Sequence, residues 1–118
     1  MNYFKEEEFD CSCGCGGGHA DMAPQLLRKL VAARSMSPVP FTLTSAFRCQ
    51  EHNKSIGSKS TSSHTNGTAV DIKAINGSDR YQILMALVGA GFNRVGVSKG
   101  FIHADVDRDK VGGVCWVY

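Results

Sequence analysis

Three residues of this 118-residue chain have types that bind metal, at positions where a metal would answer a physical need. Asp71 lies in the apolar run Ala69-Val70-Asp71-Ile72, with no Lys or Arg adjoining it. An ionised carboxylate is costly to bury there unless it is paired or bound to a cation. His64 opens the string His-Thr-Asn-Gly-Thr-Ala-Val-Asp, and His103 sits inside Phe-Ile-His-Ala-Asp. Two imidazoles and one carboxylate make a three-ligand set, which on zinc leaves a position open for water. Zinc acidifies such a water into a nucleophile at neutral pH. A single His in a strand is more often a packed residue, so the reading rests on the three together. Of the other histidines, His52 is a weaker candidate for a polar site residue and His19 follows a Gly-rich run.

The five cysteines are an odd number, so a monomer keeps at least one unpaired thiol. Cys11, Cys13 and Cys15 alternate in a Gly-rich run that ends at Gly18. Their Cys-x-Cys spacing is not the Cys-x-x-Cys knuckle that seats structural zinc. An independent metal site, a disulfide to Cys49 or Cys115 in an oxidising compartment, and reduced small residues in a turn-rich segment all fit. The last is the expectation adopted here.

Periodicity gives the secondary structure that carries these residues. Met22, Leu26, Leu27, Leu30 and Val31 form a helical stripe between Asp21 and Met36. Pro24 suits its first turn, and Pro38 and Pro40 stop it. Phe41 to Ser45 alternates as a short strand. From Arg48 to Asn66 the chain is polar, which in so small a domain marks a functional or disordered segment. A strand follows from about Thr68 to Lys73. Ser78 is expected to cap a second helix carrying Ile83, Leu84, Leu87 and Val88, with Gly89 and Gly91 at its end. Two strands, 94–97 and 101–106, flank a turn, and Cys115 to Tyr118 is either an edge strand or a hydrophobic tail. Two main helices and about four strands in mixed order predict an α+β domain.

Length bounds the chain to a single domain spanning 1–118, with a Cys/Gly-rich segment over 1–20 and a chemistry-bearing core over 41–107. A formal charge of +2 without any basic run excludes nucleic-acid binding by bulk electrostatics. Apolar stretches are too short to span a bilayer. The acidic start, Met1 to Asp10, is unlike a secretory signal, so synthesis in the cytoplasm is expected. A monomer is expected as well.

Beyond these residues, the order of three motifs resembles a known family. Ser62-Ser63-His64-Thr65-Asn66-Gly67-Thr68-Ala69-Val70-Asp71 is similar to the Ser-x-His-x-x-Gly-x-Ala-x-Asp signature of the M15 peptidases. These are zinc D-Ala-D-Ala carboxypeptidases and related murein endopeptidases. Thr44-Ser45-Ala46-Phe47-Arg48, with His52-Asn53 and Ile56-Gly57 after it, resembles the family's upstream block. Phe101-Ile102-His103-Ala104-Asp105-Val106 resembles its last strand. The acidic, Cys-rich start is similar to phage-encoded members.

The resemblance implies a hedgehog/DD-peptidase-like fold and Zn2+ held by His64, Asp71 and His103. It implies that Arg48 binds the substrate carbonyl or carboxylate and steadies the oxyanion, as a planar, permanently charged donor can. Ser62 would fix the loop carrying His64 and face substrate. It implies hydrolysis of a stem-peptide or cross-link amide of peptidoglycan, with action at the cell wall and a phage lysis (endolysin) or virion role. One position departs from the family pattern. Many members carry the catalytic acid/base three residues before the last zinc ligand, where this chain has Gly100. Asp105 is the nearest substitute, since two residues after His103 in a strand it shares that face. It would act either as proton acceptor or as a carboxylate that orients a ligand. The missing acid/base also leaves open a non-catalytic, zinc-containing wall-binding module of the same fold.

Overall fold

A computed structural model describes residues 3–118. Helix α1 (Pro24–Met36) begins at its proline and buries Leu26, Leu30 and Ala33, one stripe at helical spacing. After β1 (Leu43–Ser45), the polar stretch holds a short helix, α2 (Gln50–Ser55), and a 3-10 turn over Ser63–Asn66. Strand β2 (Ala69–Lys73) leads to α3 (Gly77–Gly89), and β3 (Arg94–Val97), β4 (Phe101–Asp105) and β5 (Val114–Val117) complete the chain. The architecture is α+β, as expected, but with three α-helices and five strands among the described residues rather than two main helices and about four strands. Helix α2 escaped the sequence reading because it is too short and polar to show an apolar period. The terminal segment is the fifth strand, an edge strand rather than a tail.

The sheet order is β1-β2-β4-β3-β5. All neighbours are antiparallel except β3 and β5, which run parallel. Alternation along the central strands assigns the two faces. Val70 and Ile72 of β2 and Ile102 and Ala104 of β4 are fully buried in one core with Leu26 and Leu30 of α1 and Ile83 and Leu87 of α3. Phe4, Phe9 and Met22 of the N-terminal segment join that core.

Asn76, not Ser78, caps α3, its side chain accepting the Asp79 N–H at 2.8 Å. At the other end Gly91 N–H bonds Val88 carbonyl and Phe92 N–H bonds Leu87 carbonyl, the paired bonds of a Schellman ending. The helix thus stops where Phe92 turns down into the core. Among the described residues no helix is long and apolar enough to cross a membrane.

Candidate metal centre

The register that buries Val70 and Ile72 throws the intervening Asp71 onto the opposite face, directly across from His103 of β4. His64 reaches the same point from the 3-10 turn preceding β2. Three contacts fix that turn. Ser62 Oγ accepts the His64 N–H at 3.3 Å. Arg48 N–H donates to the His64 carbonyl at 3.1 Å, and Ala23 N–H donates to the Gly67 carbonyl at 2.9 Å. Gly67 has φ +73°, and a Cβ there would collide with the Asp21 carbonyl. Only glycine lets the chain pass from the His64 turn into β2.

Each imidazole is held by an acceptor at one nitrogen and turns the other toward Asp71. His64 Nδ1 lies 2.7 Å from the Ala46 carbonyl, which can only accept, so Nδ1 carries the proton. Its Nε2 faces Asp71 Oδ1 at 3.3 Å. His103 Nε2 lies 2.7 Å from Asp105 Oδ2, and its Nδ1 faces the same Asp71 oxygen at 3.0 Å. One donor atom from each residue lies within 4.8 Å of the others. Two nitrogens and one carboxylate oxygen, each imidazole oriented by an acceptor behind it, fit the donor chemistry of zinc.

Burial and hydrogen bonding pull these groups in opposite directions. Burial pushes the Asp71 carboxyl up, but hydrogen bonds from His103 and His64 outweigh this and bring it to about 2. Burial pushes the His103 imidazole down, yet the carboxylates of Asp105 and Asp71 more than reverse it. Asp105 is likewise raised by burial and lowered, on balance, by His103, the Asp107 N–H and Arg94.

Asp105 is 1% exposed and both of its oxygens are engaged. Oδ2 meets His103, while Oδ1 takes Arg94 Nε at 2.7 Å and the Asp107 N–H at 3.1 Å. Asp107 in turn accepts from Ser63 Oγ at 2.7 Å, and Lys110 Nζ lies 2.8 Å from the same hydroxyl. The network therefore joins the end of β4 to the turn that carries His64. On β3, Gly96 lies between His103 of β4 and Trp116 of β5. A Cβ on Gly96 would strike the indole, so its absence lets Trp116 lean across to His103, ring centroids 5.4 Å apart.

These groups lie in an open cleft of about 370 Å3. Arg48 and Ser62 line it with His64, Asp71 and His103, and Trp116 and Tyr118 form a wall. The buried Nε of Arg48 has no hydrogen-bond partner, a cost carried beside the cleft. His52 is on α2 and is not among the cleft residues, while Gly100 is an exposed turn position with open space around it. Sequence reasoning missed Arg94, Asp107, Lys110 and Trp116. Only Trp116 carried a signal, its place in the apolar run Cys115 to Tyr118, one reading of which was an edge strand.

The fold class finds a counterpart among solved structures. The chain is similar to the Serratia marcescens L-Ala D-Glu endopeptidase ChiX, with a TM-score of 0.60 and 24% identity, covering 76% of this chain and 84% of that one. Among curated proteins, none matches. The family model described as Peptidase M15 matches residues 2–105, and the chain belongs to the peptidase M15 family. The resemblance carried by the three motifs is thereby borne out. The match also reaches past the 41–107 core to the cysteine-rich start.

Proposed function

We propose that this chain is a zinc-dependent peptidase that hydrolyses an amide bond in peptidoglycan stem peptides or their cross-links. The observation that carries the proposal is the shared Asp71 oxygen faced by two imidazoles, each held by an acceptor at its other nitrogen. His64 Nε2, Asp71 and His103 Nδ1 would hold the ion. Zinc bound there supplies a Lewis acid that polarises a carbonyl and lowers the pKa of water. Arg48 lines the cleft, and its permanently charged guanidinium would donate to the oxygen that gains charge. Ser62 keeps the His64 turn in place. Asp105, with both oxygens engaged, is best suited to orient His103 rather than to take up a proton. The similarity to ChiX, an L-Ala D-Glu endopeptidase, supports a stem-peptide amide as substrate. Action at the cell wall follows from that substrate, and a phage lysis role from the likeness of the N-terminal segment to phage members.

Purified protein incubated with muropeptides, with and without chelator, tests the reading by mass spectrometry. New fragments that vanish with chelator are expected, and their masses identify the bond. The open position at Gly100 and the saturated Asp105 favour one other reading, a wall-binding module without turnover. Zinc-loaded protein that binds muropeptides and cuts none of them would establish it.

A further inference from the structure

The N-terminal cysteines do not stand alone. Chain reversal brings Cys11, Cys13 and Cys15 to Cys49, the residue after Arg48, and all four sulfurs lie within 4.8 Å of one another. Cys11 and Cys13 are 3.4 Å apart, Cys13 and Cys49 3.6 Å, and Cys11 and Cys49 3.8 Å. Four thiolates around one zinc at about 2.3 Å would sit about 3.8 Å from each other. We propose that Cys11, Cys13, Cys15 and Cys49 form a second metal site, a closed tetrathiolate that takes zinc and pins the N-terminal segment to the segment bearing Arg48.

The local backbone is shaped for this. In an extended chain Cys11 and Cys15 would lie about 13 Å apart at 3.3 Å per residue. Left-handed φ values at Gly14 (+78°) and Gly16 (+91°) curl the chain instead. A Cβ would meet nothing at either glycine, so conformation rather than space requires them. Gly14 N–H to the Cys11 carbonyl and Cys11 N–H to the Gly17 carbonyl close the loop. Backbone N–H groups point at three of the sulfurs. Cys49 N–H meets Cys11 Sγ at 3.4 Å, Gly17 N–H meets Cys15 Sγ at 3.4 Å, and His52 N–H meets Cys49 Sγ at 3.3 Å. Donors of this kind favour thiolates, which are acceptors only. Neutral thiols are weak donors and acceptors, and gathering four of them gains little by itself. A soft, tetrahedral S4 set selects zinc over the harder cations. With four protein ligands no position remains for substrate, so the site is structural.

The reduced full-length chain, loaded with zinc or with Co2+ as a spectroscopic probe, tests this apart from the hydrolytic reading. Wild type is expected to hold two metal ions and to show thiolate-to-cobalt charge-transfer absorption. The cleft variant His64→Ala/Asp71→Ala should lose one ion and keep that absorption. Cys13→Ser/Cys15→Ser, at two exposed positions, should lose the absorption and keep the other ion. Wild-type protein without thiolate-to-cobalt absorption overturns the proposal, and needs no variant to fold. So does an intact mass lowered by disulfide formation among these cysteines in freshly reduced, zinc-loaded protein, or a Cys variant with undiminished metal content. Failure of the cleft to hydrolyse muropeptides would leave these readouts unmoved.

Discussion

His64, Asp71 and His103 stand on a sheet and a clamped turn, and each imidazole's second nitrogen is already hydrogen-bonded to a carbonyl or carboxylate. The four cysteines hang on loops and at the cap of α2, with backbone N–H groups behind three of their sulfurs. The first arrangement is assembled by strand register and has three donors, leaving room at an ion for a fourth partner. The second has four donors and leaves none. Rigid scaffolding with an open position suits chemistry. A closed set on loops suits cross-linking, because the ion then supplies the order that the backbone lacks.

The contrast is disturbed most severely at the cleft. His64→Ala or Asp71→Ala should lose the cleft ion and reduce muropeptide hydrolysis to the level of chelated wild type. Elemental analysis and turnover on one preparation check this, and full zinc content in both variants would remove the site. Arg48→Ala should keep both ions and lower kcat by about 10²–10³-fold, the usual cost of one oxyanion donor. Steady-state kinetics beside metal content would show it.

Asp105→Asn probes the cleft more finely, since it weakens the support of a ligand and spares the ligands themselves. Metal affinity should fall by about 10–100-fold, with activity largely regained at high zinc. The orienting role is falsified if zinc stays bound while kcat drops by about 10²–10⁴-fold, the signature of a lost proton acceptor. The smallest effect on turnover is expected on the loop side. Cys13→Ser/Cys15→Ser should lower the thermal midpoint and abolish its dependence on a second equivalent of zinc, and change hydrolysis by less than about tenfold. Scanning calorimetry across a zinc titration measures the first part.

The sheet cluster was legible because its parts are local strings. Asp71 was conspicuous inside an apolar strand, and His103 and Asp105 shared a face by simple alternation. Core strands and the long helices were legible for the same reason, since each shows its own period. The cysteine cluster was not, because its fourth member lies 38 residues from Cys11 and no spacing rule reaches across a chain reversal. Helix α2 failed for a related reason. Its start is set by Cys49 Sγ accepting the His52 N–H, an uncommon cap, and not by an apolar stripe. The fifth strand was ambiguous because its parallel pairing to β3 depends on a partner twenty residues earlier.

The missing side chain at Gly96 has an optical consequence. Trp116 is the sole tryptophan of the chain, and the gap brings its indole against the His103 ring. Excitation of the indole therefore samples one place, the wall of the cleft. Its emission thus reports what binds beside His103, and the protein carries its own fluorophore for following the cleft without any label.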